Sequence, residues 1–128
     1  MQYGFSKIVN YSYEQAVEKV TEELKKEGFG VLTTIDVKDT MKKKLDVDFK
    51  KYIILGACNP PLAHKALTAE VELGLLLPCN VIVYENDRKK TVVGFFDPKL
   101  MAHILENKEL SGIAEEVYNK LQRVYLAL

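Results

Sequence analysis

Two cysteines carry most of the chemistry this sequence offers. Each is followed by an asparagine and lies beside a proline: Cys58-Asn59-Pro60 and Pro78-Cys79-Asn80. Thiolates are nucleophiles and bind soft metal ions such as zinc or copper(I). Two neighbouring thiols also form a reversible disulfide. His64 follows Cys58 closely and is the candidate base for a thiol nucleophile. The spacing matches neither a Cys-x-x-Cys motif nor a zinc ribbon, so any joint chemistry depends on the fold bringing the two cysteines together. The plain alternative is that both are small buried hydrophobes.

The elements around them give that juxtaposition a route. Tyr52 to Cys58 is an almost unbroken apolar run, which predicts a central strand buried on both faces. Asn59 suits a helix N-cap, and Pro60 or Pro61 suits the first turn. Leu62, Ala63, Ala66, Leu67 and Val71 form the apolar face of that helix, and Gly74 closes it. Cys79 to Glu85 is the next strand, Asn86 to Lys89 a turn, and Thr91 to Phe96 the returning strand. If the first two strands pair antiparallel, the end of one and the start of the other share a sheet edge. Cys58 and Cys79 then lie near each other, with His64 within reach of the same edge.

The remainder of the chain supplies the scaffold. Tyr3, Phe5, Ile8 and Val9 suggest a first strand. Ser12 and Gln15 fit a capping box, opening a helix with Tyr13, Val17, Val20 and Leu24 inward and Glu18, Lys19, Glu22 and Glu23 outward. Gly28 ends it. Phe29 to Val37 alternates as a second strand, and Asp36 caps a short helix in which Val37, Met41 and Leu45 share a face. After the hairpin, Asp97-Pro98 starts a short helix. Ser111 caps a longer one with Ile113, Val117, Leu121 and Val124 inward. Tyr118, Tyr125, Leu126 and Leu128 are an apolar surplus on that helix, serving either a dimer contact or extra core coverage.

The order is β-α-β-α-β-α-β-β-α-α. The closing hairpin argues against a purely parallel sheet. The expected fold is α+β: a mainly antiparallel sheet of about five strands with helices packed on one side. No linker or repeat divides the chain, so residues 1–128 read as a single domain.

Composition narrows the function. Eighteen basic residues balance 18 acidic ones, which argues against a nucleic-acid partner. No apolar run approaches the ~18 residues of a membrane span, so no membrane partner is expected. Met1 to Asn10 lacks the features of a secretory signal, which makes the cytoplasm the expected compartment and reduced thiols the expected state. Gly28-Phe29-Gly30 lacks the third glycine of a dinucleotide fingerprint.

The segments Gly28-Phe29-Gly30-Val31-Leu32, Ile54 to Pro60 and Gly74 to Val81 resemble the domain of unknown function family 302. The resemblance runs over nearly the whole chain, and the two Cys-Asn motifs are its specific part. It implies a TATA-binding-protein-like α+β fold, often assembled as a dimer, and no established activity. It marks Cys58, Asn59, Pro60, Cys79 and Asn80; His64 is not anchored to it.

The leading expectation is therefore a small, dimeric binding module. Cys58, Asn59, Pro60, His64, Cys79 and Asn80 are its candidate ligand-binding residues, and Cys58 and Cys79 its candidate metal ligands. The occupant would be a soft metal ion or a small molecule. An interaction domain without a site, and a thiol redox enzyme, are the alternatives. The residues name no reaction and no cofactor.

Overall fold

The computed structural model describes residues 3–128. The elements in chain order are β1 (Gly4–Val9), α1 (Tyr13–Lys26), β2 (Gly30–Asp36), α2 (Val37–Leu45), β3 (Tyr52–Cys58) and α3 (Pro60–Ala69). A 3₁₀ turn (Val71–Leu76) follows, then β4 (Cys79–Glu85), β5 (Thr91–Phe96), α4 (Lys99–Leu105) and α5 (Lys108–Ala127). The strands form one sheet in the order β1-β5-β4-β3-β2, and every neighbouring pair is antiparallel. This is the expected α+β class. The TATA-binding-protein-like label rests on the family resemblance alone.

Local chemistry explains several boundaries. The Gln15 N–H donates to Ser12 Oγ at 3.1 Å, and the Ser12 N–H donates to Gln15 Oε1 at 3.1 Å, so the capping box forms. Gly28 sits at φ +85°, a left-handed conformation that L side chains rarely adopt. Asp36 ends β2 and also caps α2, accepting from the Asp39 N–H at 3.0 Å. Asn86 Oδ1 accepts from the N–H groups of Arg88 and Lys90, closing the hairpin turn.

Residues opposed across an antiparallel ladder share a face. On one face Leu55 opposes Val81, Val81 opposes Phe95, and Phe95 opposes Phe5. This face meets α1 and α5, and Val20, Leu24, Val81, Val83, Val93, Leu121 and Val124 are almost wholly buried there. The other face carries Ile8, Val92, Ile82, Tyr84, Ile54, Tyr52 and Ile35, with Tyr52 stacked on Tyr84 at 5.3 Å. α2 lies beside β2 and β3 and buries none of its residues.

Four sequence expectations change, and one that was left open leans to core coverage. Glu23 is buried rather than turned outward, because Lys19 and Lys26 both reach its Oε1, at 3.1 and 2.8 Å. Those two partners hold its carboxyl below the usual range. β3 is buried on both faces only around Leu55, Gly56 and Ala57, because one sheet face lacks a helical layer. α3 stops at Ala69, and Val71 to Leu76 turns as a 3₁₀ helix, leaving Val71 and Leu75 exposed. Asn107, not Ser111, caps α5; its Oδ1 accepts from the Glu109 and Leu110 N–H groups. The surplus on α5 is largely used within the chain: Tyr118 and Tyr125 each meet Phe5 edge-on at 5.6 Å, and Leu128 packs on the core.

Candidate functional site

β3 and β4 pair antiparallel, with Ala57 directly opposite Cys79. Cys58 is therefore one residue beyond the residue facing Cys79, and the two cysteines belong to the same sheet end. Both are free thiols. Their exposures differ. Cys79 projects to the helix-covered face and is 8% exposed, whereas Cys58 is half-buried. Burial, with a smaller contribution from Cys58, pushes the Cys79 thiol up to about 11. At neutral pH Cys79 is protonated, which opposes both nucleophilic attack and metal ligation by that sulfur.

The two thiols line one cavity of about 360 Å³. Its walls come from the ends of β3 and β4, from α3 and the 3₁₀ turn, and from α4 and α5. Large apolar side chains such as Phe29, Leu62 and Met101 form part of the wall. Small residues make the space: Ala63 and Ala66 on α3, Ala102 on α4 and Ala114 on α5. Facing helices that present methyl groups leave a volume that leucines would fill. The half-buried or exposed lining residues, Leu32, Thr33, Cys58, Leu67 and Gly74 among them, mark the mouth.

Asn59 also lines the cavity, but its polar atoms are engaged in the fold. Its Oδ1 accepts from the Leu62 N–H at 3.4 Å, capping α3, and its Nδ2 donates to the Glu27 carbonyl at 3.2 Å. It thereby ties the α1–β2 turn to the start of α3. A Cβ on Gly28 would lie 3.0 Å from that Nδ2, a second reason for glycine there. Gly56 is needed for a close approach of another kind: a Cβ would collide with Thr33 Oγ1 and lie 2.8 Å from Pro78 Cγ.

The other sequence candidates lie elsewhere. Pro60 occupies the first turn of α3, exposed and outside the cavity lining. His64 is exposed on α3 and does not line the cavity; its carbonyl accepts from Thr68 Oγ1 at 2.7 Å. Asn80 opposes Gly56 on the other sheet face and is exposed. The fold thus gathers Cys58, Asn59 and Cys79 and leaves Pro60, His64 and Asn80 outside. The alanines, Leu32 and the 3₁₀ turn were missed as site residues. Their sequence signal was alanine at inward positions of helices where a core normally carries larger side chains. Among the described residues, no group of three or more His, Cys, Asp or Glu is arranged to hold a metal ion.

Fold and site together define an α+β domain with an apolar cavity at one end of its sheet and two unequal thiols in the wall. Residues 5–128 match the family described as domain of unknown function DUF302, and the chain belongs to that family. A solved relative is described as an uncharacterized conserved protein DUF302 from Bacillus stearothermophilus. It is 27% identical, covers 99% of this chain and 98% of its own, and superposes with a TM-score of 0.91. No curated protein matches the chain.

Proposed function

We propose that this protein is a small-ligand binding module whose ligand sits in the cavity at the Cys58–Cys79 end of the sheet. The observation that carries this reading is the cavity itself, about 360 Å³ in a 128-residue chain. That lies within the usual range for small-molecule sites. Of the two expected occupants, a small molecule is favoured over a soft metal ion. Cys79 holds its proton, and the described residues offer no third ligand beside the two sulfurs. The even charge balance favours a small molecule over a nucleic acid. The reading places the protein in the cytoplasm, where free thiols persist. No helix among the described residues is long and apolar enough to cross a membrane.

Native mass spectrometry and thermal melting test this with two sets of additives, small molecules and the ions zinc and copper(I). The expected result is one small molecule per chain, with a raised melting temperature. Stabilisation by metal alone, abolished in Cys58→Ser and Cys79→Ser, would transfer the site to a metal. No stabilisation by either set would favour an interaction domain without a site.

The reading includes a homodimer. Edge strand β2 supports it. Six of its seven residues are exposed, Leu32 and Ile35 among them, and it carries no lysine or proline to blunt pairing. Sedimentation equilibrium should give a dimer for the native chain and a monomer for Ile35→Lys. A monomeric native chain overturns this part.

A further inference from the structure

We infer that the cavity takes an uncharged, hydrophobic ligand of about a dozen non-hydrogen atoms, seated with Cys58 beside its mouth. This deepens the reading of the protein as a binding module and rests on it. The volume sets the size: about 360 Å³ is about twelve times a water molecule's ~30 Å³ share of liquid.

The wall sets the polarity. Among the described residues, no Asp, Glu, Lys, Arg or His side chain lines the cavity. Among the described residues, the only lining side chains with nitrogen or oxygen are Thr33 and Asn59. Asn59 already spends its Oδ1 on the Leu62 N–H and its Nδ2 on the Glu27 carbonyl. A carboxylate, phosphate or ammonium entering here would lose its hydration and meet no opposite charge. An apolar wall of this kind accepts apolar guests, because the guest gains contacts that water does not make. The mouth continues the same chemistry: Leu32 is 68% exposed and Leu67 37% exposed at its rim. A hydrophobic molecule therefore meets apolar surface outside the cavity before it enters.

A matched pair of displacing ligands tests the inference on the whole protein. The fluorescent probe is 1-aminonaphthalene, which is uncharged at pH 8 and falls within that size. The competitors are 1-decanol and decanoate, kept below their aggregation thresholds; they share a chain length and differ in charge. Decanol should displace the probe about tenfold more effectively than decanoate. It should also slow alkylation of Cys58 by N-ethylmaleimide. Filling the space should remove probe binding: Ala66→Leu does so from inside and Ala63→Leu from nearer the mouth, with cooperative melting verifying each fold. Equal displacement by decanoate would overturn the uncharged class while leaving a ligand-binding cavity. Probe binding that survives both filling variants would overturn the location. Failure of the probe and both competitors to bind would instead remove the binding reading itself.

Discussion

The two Cys-Asn dipeptides have the same composition and opposite fates. At 58–59 the cysteine is half-buried at the cavity mouth, and the asparagine is buried as a helix cap. At 79–80 the cysteine is buried under the helical layer, and the asparagine is exposed on the opposite sheet face. The difference comes from where each dipeptide falls in its strand. Cys58 ends β3, so Asn59 leaves the ladder and turns into α3. Cys79 begins β4, so Asn80 remains in the ladder, and the pleat sends its side chain to the other face. A motif repeated in sequence is thus not repeated in chemistry.

The largest expected effect belongs to the buried thiol, Cys79, at alkaline pH. The Cys79 thiol is raised in the folded protein, from an ordinary 9.0 to about 11. Between those values the unfolded thiol ionises while the folded one keeps its proton, so the unfolded state binds fewer protons. Stability present below about pH 9 is lost as pH rises, by on the order of 2 to 3 kcal/mol across the window. Urea unfolding of the native chain and of Cys79→Ala from pH 8 to 11 measures it. The variant should lack that part of the decline; parallel curves would contradict the burial of the Cys79 thiol.

The asparagines supply the next contrast. Asn59→Ala removes the cap and strands the bond to the Glu27 carbonyl, for a loss of about 2 kcal/mol. Asn80→Ala should change stability by less than about 0.5 kcal/mol, as exposed positions usually do. Equal losses in chemical denaturation would refute the assignment of roles.

Thiol accessibility gives the smallest energetic effect but a clear count. In the native protein a chromogenic disulfide reagent should titrate Cys58 promptly, and Cys79 only after unfolding. Cys58→Ala should remove the prompt reaction. Two prompt thiols in the native chain would place Cys79 outside the core.

What the sequence made legible follows the range of the interaction. The Ser12–Gln15 box, the Asp36 cap, the Asn59 cap and the Gly28 stop each depend on a few adjacent residues, and all appear where expected. Asn107 was missed as a cap because the choice between it and Ser111 depends on where α4 ends. Glu106, left-handed at φ 51°, ends α4 and frees Asn107 to begin α5. Glu23 was misplaced because helical spacing does not record that two lysine side chains will fold over it. Of the site, the antiparallel approach of Cys58 and Cys79 followed from the strand pattern. The cavity did not, because its walls come from segments distant in sequence, and only packing shows that their alanines leave space. Helices on one side of the sheet were expected, but the burial of β3 was overread: an apolar run such as Tyr52 to Cys58 reads alike whether one face or both are covered.

The most direct test of the cavity as the binding site is a two-dimensional amide NMR titration with 1-decanol. The predicted result is saturable shifts confined to the cavity wall and mouth, at Leu32, Cys58, Leu67, Gly74, Leu77 and Ala114. Shifts centred instead on Ile54, Ile82 and Tyr84 of the open sheet face, or no shifts at saturation, would contradict it.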